Sequence, residues 1–182
     1  ELGRHAQRLV SGPVSRADLA LAFDESTASS AEVLVEGANF YPPMLEDIAS
    51  ATSSVHINQF GFKPGLVGDV FAEALLAKAA DGIRVRLVVD NRGSAPDKGS
   101  RDHYRRLEAG GVEVSVNRSL AHLDHRKVLI VDGRFGWVGG AGIEDHFADG
   151  RFHDLFVRVD GPVVAQLQLV FVATFRWLDG TI

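Results

Sequence analysis

The sequence predicts an α/β sandwich, in which a mostly parallel mixed sheet carries helices on both faces. The first observation is an alternation of strand-like and helix-like segments along the main body of the chain, which is typical of parallel strands joined by helices. The second is an amphipathic helix at 66–80, where apolar residues recur at helical spacing before Asp81-Gly82. The third is Asp132-Gly133 between two apolar runs, which predicts a β-hairpin.

We divide the chain into a helical arm at 1–30, broken at Gly12-Pro13, and a single domain at 31–182. The predicted strands are 32–36, 54–62, 83–90, 112–116, 126–131, 134–139 and 154–159. The predicted helices are 41–52, 66–80, 102–109 and 162–178. In the last helix, apolar spacing predicts a buried face made of Val163, Leu167, Val170, Phe171 and Trp177.

Composition sets broad limits on this domain. A chain of 182 residues with 46% hydrophobic residues can bury one real core. The net charge of −5 disfavours a dedicated nucleic-acid-binding protein, which normally has a basic face. Without cysteine, the chain forms neither a disulfide nor a thiolate metal site. No apolar run is as long as a transmembrane helix, and no signal peptide is visible. The sequence begins with Glu1 and not with methionine, so we expect an upstream segment to have been removed.

The most informative stretch is His125-x-Lys127-x4-Asp132. Side chains alternate between the two faces of a strand, so a strand at 126–131 would project His125 and Lys127 from the same face. An imidazole beside an ammonium is a poor core but suits a phosphate, because the lysine neutralises oxygens while the histidine attacks phosphorus or moves a proton. The alternative is a plain strand end before the Asp-Gly turn.

The residues after this motif extend the pattern. Gly139-Gly140 follows Asp132 after six residues, and the stretch from His153 to Val164 then leads into the last predicted helix. With these features in this order over about residues 31–179, the chain resembles the phospholipase D superfamily. It is most similar to the N-terminal half of bacterial cardiolipin synthases and phospholipase D-like enzymes. The superfamily usually places an asparagine of its site where this chain has Gly142.

The resemblance implies displacement at a phosphodiester through a phosphohistidine intermediate. It makes His125 the candidate nucleophile or general acid, Lys127 the ligand of a phosphate oxygen, and Asp132 the third catalytic residue. It implies neither a cofactor nor a metal, because cationic side chains stabilise the charge of the transition state. His122, Asp124 and His125 come nearest to a metal-binding group, and we interpret them as an incidental cluster.

Four further residues are candidate substrate-binding groups. Gly139 and Gly140 would let the backbone approach the phosphate, although a tight strand end explains them nearly as well. Asn58 and Gln59, near the end of the second strand, would donate hydrogen bonds to the substrate. Polar residues on a half-exposed strand are an equally good interpretation of that pair.

The implied reaction needs two H-x-K motifs and this chain has one, since no other histidine has a lysine two residues on. We favour a separate chain or a C-terminal half as the source of the second, with an identical copy as the other possibility. The favoured function is phosphodiester hydrolysis or phosphatidyl transfer on phospholipids; the alternatives are a homodimeric single-motif nuclease and a non-catalytic or degenerate lobe. Expected partners are the second half, a phospholipid and a peripherally contacted membrane, with nucleic acid disfavoured. The compartment stays open between membrane-associated and secreted.

Overall fold

The computed structural model describes residues 26–94 and 98–179, so most of the expected arm at 1–30 lies outside the described residues. The strands of the described part are β1 (Ser30–Val35), β2 (Ser54–Gln59), β3 (Arg84–Asp90), β4 (Glu113–Asn117), β5 (Lys127–Val131), β6 (Phe135–Gly139) and β7 (Leu155–Asp160). Its helices are α1 (Gly37–Ser50), α2 (Leu66–Ala80), α3 (Asn91–Ser94), α4 (Lys98–Ala109), α5 (Asp145–Ala148) and α6 (Val163–Asp179). The short helices α3 and α5 were not predicted, because four residues carry no periodic pattern.

The strands form one sheet in the order β1-β7-β6-β5-β2-β3-β4. The pairs β2–β3 and β3–β4 are parallel, since helices connect these strands, and the other adjacent pairs are antiparallel. The mixed α/β sheet is therefore confirmed. Parallel pairing is less extensive than we predicted, because β5 runs antiparallel to β2 and the strands beyond it, β6, β7 and β1, alternate in direction.

Helices cover both faces of the sheet, as the sequence predicts. One face packs against α1 and α2 around a large core that includes the fully buried Phe40, Phe71 and Trp137. The other face packs against α6, which contributes Val164 and Phe171 to a smaller core. Removing these apolar side chains from water is the main stabilising contribution to a layered fold.

The predicted buried face of α6 is right for Phe171, and Val163 and Leu167 also pack, partly buried, against the smaller core. It is wrong at two positions. Val170 and Trp177 are 50% and 55% exposed, whereas Val164, Phe171 and Phe175 are buried. Residues at i, i+7 and i+11 share one face of a helix, and this face contacts the sheet. The helix therefore leaves apolar side chains exposed. Within the described ranges, no helix has both the length and the apolar content needed to cross a bilayer.

The β5–β6 hairpin forms where Asp132-Gly133 predicts it. The two residues have φ values of 55° and 61°, and the Arg134 N–H donates to the Val131 carbonyl oxygen over 2.9 Å. Two consecutive positive φ values are those of a type I′ turn, whose twist matches that of the paired strands. The hairpin thereby fixes the register of β5 and the edge of the sheet at which that strand begins.

Candidate active site

The candidate site lies at the edge of the sheet where β2 ends and β5 begins. Lys127, the first residue of β5, pairs with Gln59, the last residue of β2. His125 lies just before β5, in the loop that follows β4. Because paired strands place their residues side by side, this edge brings distant parts of the sequence together.

A buried carboxylate holds the loop that carries His125. Asp90, at the end of β3 and 2% exposed, accepts a hydrogen bond from the Asn117 side chain at 2.8 Å and another from the Asp124 amide at 2.9 Å. The Asn117 side chain also donates to the carbonyl oxygen of His122 at 2.9 Å. Both ends of the loop are thus tied to the sheet, and this fixes the position of His125.

The side chains of His125 and Lys127 meet, as predicted, although β5 begins only at Lys127 and His125 lies in the preceding loop. Lys127 Nζ lies 2.9 Å from His125 Nδ1 and 3.2 Å from Nε2, and it donates to the His125 carbonyl oxygen at 2.7 Å. The lysine is 5% exposed, whereas the histidine is exposed. The centroid of the Phe60 ring lies 4.3 Å from that of the imidazole and 5.1 Å from Nζ. The site therefore presents an accessible imidazole with a sheltered ammonium beside it.

Three carboxylates act on the sheltered ammonium of Lys127. Burial lowers the pKa of this lysine, because the charged form loses hydration. The negative charges of Asp154, Glu144 and Asp124 oppose that shift. A cation with few competing waters interacts more strongly with a phosphate oxygen than one in bulk solvent does, so the environment of Lys127 suits a phosphate ligand.

Asp124 is a site residue whose role the sequence did not indicate. Its carboxylate accepts two hydrogen bonds from the Arg126 guanidinium, at 2.7 and 2.6 Å, and one from the Asn58 side chain at 2.8 Å. Burial alone would raise the pKa of Asp124, but these donors outweigh it and the pKa falls below its ordinary value. Across residues 26–94 and 98–179, no group of three or more His, Asp or Glu side chains is arranged to hold a metal ion.

Asp132 lies at the opposite end of β5 from His125, so the structure does not bring it together with the other two candidate catalytic residues, and its assignment to the catalytic group stays a prediction. Asp132 follows the last residue of β5, so the whole strand separates it from His125. Its carboxylate accepts hydrogen bonds from the amides and hydroxyls of Thr52 and Ser53 and from the amide of Ser54, all at 2.8–2.9 Å. Burial alone would raise the pKa of Asp132, but these donors hold it far below its ordinary value. Asp132 therefore ties the hairpin to the α1–β2 connection.

Asn58 and Gln59 do not act together, because successive strand residues point to opposite faces. Asn58 lies on the α6 side and donates to Asp124. Gln59 lies on the side of α1 and α2, as does its partner Lys127. Both residues are buried, 2% and 0% exposed, and a role for either in substrate binding stays a prediction.

Gly139 and Gly140 lie where the chain runs closest to the start of β7. A Cβ atom at Gly139 would overlap the Leu155 carbonyl oxygen, and one at Gly140 would overlap the Asp154 carboxylate. The close approach of backbone requires a glycine at 139, as in a tight strand end, whereas a side chain at 140 would displace the Asp154 carboxylate. Their contact with a phosphate stays a prediction.

An open cavity of about 660 Å³ adjoins His125 on the α6 side of the sheet. Its walls come from the loop before β5 and the last turns of α6. The lining residues include Leu123, His125, Arg126, Thr174 and Trp177. The cavity combines the candidate nucleophile with several apolar side chains and with Arg126, whose guanidinium pairs with the Asp124 carboxylate in the same wall. This mixture of polar and apolar groups suits an amphipathic ligand.

Residues 44–174 match the family described as cardiolipin synthase, PLD-like domain. The chain belongs to this family. The major cardiolipin synthase ClsA of Bacillus subtilis is 30% identical over 158 residues, which cover 79% of this chain and 32% of that protein. The probable cardiolipin synthase YwiE of the same organism is 26% identical over 171 residues, covering 86% of this chain and 34% of that protein. This PLD-like chain thus spans about a third of the length of these curated relatives.

Solved structures share the fold of this PLD-like domain. Nuc, a phospholipase D family member from Salmonella typhimurium, gives a TM-score of 0.66 at 19% identity over 83% of this chain and 95% of that chain. Polyphosphate kinase from Porphyromonas gingivalis gives 0.63 at 16% identity, over 83% of this chain and 26% of that chain. These similarities confirm the predicted phospholipase D-like fold, and at such identities they establish the fold alone.

Proposed function

We propose that this domain forms one half of an active site that transfers phosphatidyl groups or hydrolyses phospholipids, with His125 acting directly on the phosphodiester. The observation that carries the proposal is the contact of the exposed His125 with the buried ammonium of Lys127. His125 also lines the open cavity on the α6 side of the sheet. Membership in the cardiolipin synthase PLD-like family supports a phospholipid as the class of substrate.

In the proposed reaction the His125 imidazole attacks phosphorus, and a P–N bond forms while the P–O bond to the leaving alcohol breaks. A histidine of the second motif gives its proton to the leaving oxygen. Water or an alcohol then attacks the phosphohistidine, its proton passes to the second histidine, and the P–N bond breaks. The two histidines can exchange these roles. Lys127 donates to a non-bridging oxygen and stabilises the charge of each transition state.

The second motif has to come from another copy or another part of the protein, since this chain holds a single H-x-K. The side of the domain that carries the cavity supports such a partner. On the sheet, Val138 and Leu155 are 40% and 42% exposed, and on α6 Trp177 is 55% exposed. Exposed apolar side chains grouped on one face are typical of an interface. A partner on this face would bring its histidine towards His125 and exclude water from the cavity.

The loop before His125 supports the proposed peripheral contact with a membrane. It carries Leu120, 86% exposed, and Leu123, 49% exposed and part of the cavity wall. An exposed leucine gains free energy when it enters the apolar part of a lipid interface. Such a contact would let a phospholipid reach His125 from the bilayer surface.

A homodimeric single-motif nuclease is the second candidate. The Salmonella structure favours it, because this domain covers 95% of that chain and one such domain can thus make up a whole family member. The net charge of −5 opposes it, since nucleic-acid binding relies on neutralising phosphates. A non-catalytic lobe, the third possibility, is opposed by the contact between His125 and Lys127, because burying an ammonium is costly and brings a scaffold no benefit.

Turnover by the complete protein, with the chain or segment that supplies the second motif, tests the proposal. We expect His125→Ala to abolish release of the head group from short-chain phosphatidylglycerol without changing thermal unfolding, because this side chain is exposed. His153→Ala is the matched control, since His153 is also exposed at this edge of the sheet, and it should retain turnover. Equal turnover by His125→Ala and the unchanged protein would refute the catalytic assignment. Cleavage of single-stranded DNA alone would favour the nuclease.

A further inference from the structure

A second cavity, of about 210 Å³, lies between helix α4 and the end of strand β4. Its walls carry three arginines, Arg101, Arg105 and Arg118. A single acidic residue, Glu108, lines it with them. The chain as a whole has a net charge of −5, so the positive charge of this arginine cavity is a local feature. A cleft lined mainly by one sign of charge attracts ligands of the opposite sign, and the arginine cavity therefore favours an anion.

Helical spacing and strand alternation bring the three arginines together. Arg101, Arg105 and Glu108 recur at i, i+4 and i+7 of α4, so they share one face of this helix. Val116 of β4 and Arg118, which directly follows the strand, are two residues apart and both line the cavity. The arrangement of the arginines thus follows from the packing of α4 against β4.

The arginines are poorly neutralised within the domain. Across the ranges that the structure describes, Arg101 and Arg118 form neither an ion pair nor a side-chain hydrogen bond. Arg105 pairs with Asp102 at 2.8 Å, but both side chains are exposed and such pairs are weak. Like charges four residues apart destabilise a helix, so Arg101 and Arg105 bring α4 no benefit. Guanidinium groups that are free to donate suit a phosphate, whose oxygens accept paired hydrogen bonds.

The arginine cavity adjoins the candidate active site but lies on the other face of the sheet. Asn117, the last residue of β4, lines the cavity at His125, whereas the next residue, Arg118, lines the arginine cavity. Successive residues of an extended chain point to opposite faces. Among the described residues, the two cavities have no lining residue in common. A phosphate bound by the arginines is therefore a different group from the phosphate that would react at His125.

The loop after Arg118 indicates that the anion is part of a lipid. Leu120, two residues further along, is 86% exposed. The Ser119 hydroxyl accepts a hydrogen bond from the His122 N–H at 3.0 Å, and the Arg92 guanidinium donates to the Leu120 carbonyl oxygen. These bonds hold the backbone of the loop, so an exposed apolar side chain stays close to the cationic ones. That combination suits an anionic membrane, where leucine enters the apolar layer and arginines meet phosphates.

We propose that Arg101, Arg105 and Arg118 bind the phosphate of an anionic phospholipid that is not the substrate, and so dock the domain on a negatively charged membrane. The inference rests on the function proposed above and deepens it, because a lipid substrate reaches His125 from the same surface. The guanidinium groups donate to the oxygens of the lipid phosphate, and Leu120 enters the apolar layer beside it. The loop that carries His125 is then held at the bilayer surface.

Cosedimentation with vesicles tests the arginine cavity without turnover. The complete protein carrying His125→Ala is mixed with vesicles of phosphatidylcholine alone or of an equimolar mixture with phosphatidylglycerol. We expect the pair Arg101→Gln and Arg118→Gln to weaken binding to the mixed vesicles about 20-fold, because each basic residue at an anionic surface adds to binding. Binding to phosphatidylcholine alone should not change. Both side chains are exposed, so thermal unfolding should also stay the same.

Arg84→Gln with Arg134→Gln is the matched control pair. These two exposed arginines lie at the opposite edge of the sheet, at the start of β3 and in the turn after β5. The pair changes the net charge by the same amount. The strands that separate the edges extend over roughly 16 Å or more, beyond the Debye length of about 8 Å at physiological ionic strength. Binding to the mixed vesicles should therefore fall less than about twofold. Equal losses from the two pairs would overturn the site.

A charge-preserving pair separates phosphate recognition from general attraction. Arg101→Lys with Arg118→Lys keeps the net charge but removes the planar fork of donors that matches a phosphate. We expect this pair to weaken binding to the mixed vesicles, though less than the glutamine pair does. Binding equal to that of the protein with both arginines would show a general attraction between charges and would overturn the phosphate site.

Other phosphates test the choice of a lipid. If the glutamine pair abolished binding of inorganic phosphate or of single-stranded DNA while binding to the mixed vesicles persisted, the ligand would not be a lipid and the proposal would be overturned. The two proposals fail separately, because the vesicle comparison is made within one background. Turnover that persisted after His125→Ala would refute the catalytic assignment alone, and equal binding by the glutamine and control pairs would refute the arginine site alone.

Discussion

The two ends of strand β5 surround their polar groups very differently. At the first residue, Lys127 borders an exposed imidazole next to an open cavity. One residue beyond the last, the Asp132 carboxylate accepts five hydrogen bonds from residues 52–54. An ionised carboxylate offers about four lone-pair positions, so these donors saturate it. The imidazole at the first end is open to a ligand, whereas the carboxylate at the second end is already saturated with donors.

One sequence motif therefore carries two separate tasks. The end at His125 and Lys127 holds the proposed nucleophile and a cation, and the end at Asp132 anchors the turn that sets the register of the strand. The spacing between them is the length of β5, whose five residues extend over roughly 16 Å. The spacing in the motif H-x-K-x4-D therefore reflects the length of strand β5 as well as the proposed chemistry of His125 and Lys127.

The largest expected effect is a loss of turnover from a substitution at the His125–Lys127 end of β5. Lys127→Met replaces a buried ammonium with an apolar side chain of similar length, so turnover of phospholipid by the complete protein should fall about 10²–10³-fold. Thermal stability should not fall, because a desolvated charge is removed. Lys78→Met, which breaks an ion pair with Asp81 on α2, is the matched control for turnover. If Lys127→Met retained turnover but lost stability, Lys127 would have a structural role and not the proposed role in turnover.

The next largest expected effect is a loss of stability from a substitution at the Asp132 end of β5. Asp132→Asn keeps a residue that tolerates positive φ but removes the charge and turns one acceptor into a donor. We expect the free energy of unfolding, measured with urea, to fall by about 2 kcal/mol. Turnover per folded molecule should be unchanged. A loss of turnover at unchanged stability would support the assignment of Asp132 to the catalytic group.

The pH dependence of stability sharpens this prediction. Folding lowers the pKa of Asp132, so its contribution is complete above the ordinary aspartate pKa of about 4 and is lost as the pH falls through the folded-state value. The Asp132→Asn variant lacks this titration. Its unfolding free energy should therefore converge on that of the unchanged protein as the pH is lowered below about 4. If the plots of unfolding free energy against pH for the two proteins stayed parallel, a carboxylate other than Asp132 would cause the loss of stability at low pH.

Local patterns were sufficient to predict most of β5. Alternation along a strand places His125 and Lys127 on one face, and Asp132-Gly133 predicts the turn that ends it. Both inferences need only neighbouring residues. The structure confirms the turn, and it brings the two side chains together, with His125 in the loop before β5. The same alternation, applied to the second strand, would have separated Asn58 from Gln59.

The other contacts of the site join segments that no local pattern relates. Asn58 meets Asp124 across 66 positions, and Asp132 meets Thr52 across 80. These contacts follow from strand order and register, with β5 beside β2, and a single sequence does not reveal either. The predicted buried face of α6 was wrong at Val170 and Trp177 for a related reason: the helix has apolar residues on more than one side, and contact with the sheet determines which side is buried.

The smallest effect is expected at Gly133, beside Asp132 in the turn. Its φ is 61° and a Cβ atom there would meet nothing within 4 Å, so Gly133→Ala should cost only the strain of a left-handed alanine, about 1 kcal/mol. Gly133→Asn should cost less, because asparagine adopts this conformation more readily. Urea unfolding checks the order of the two variants, and turnover should be unchanged in both. If either lost turnover at full stability, the two ends of β5 would be coupled along the strand, and the separation of their tasks would fail.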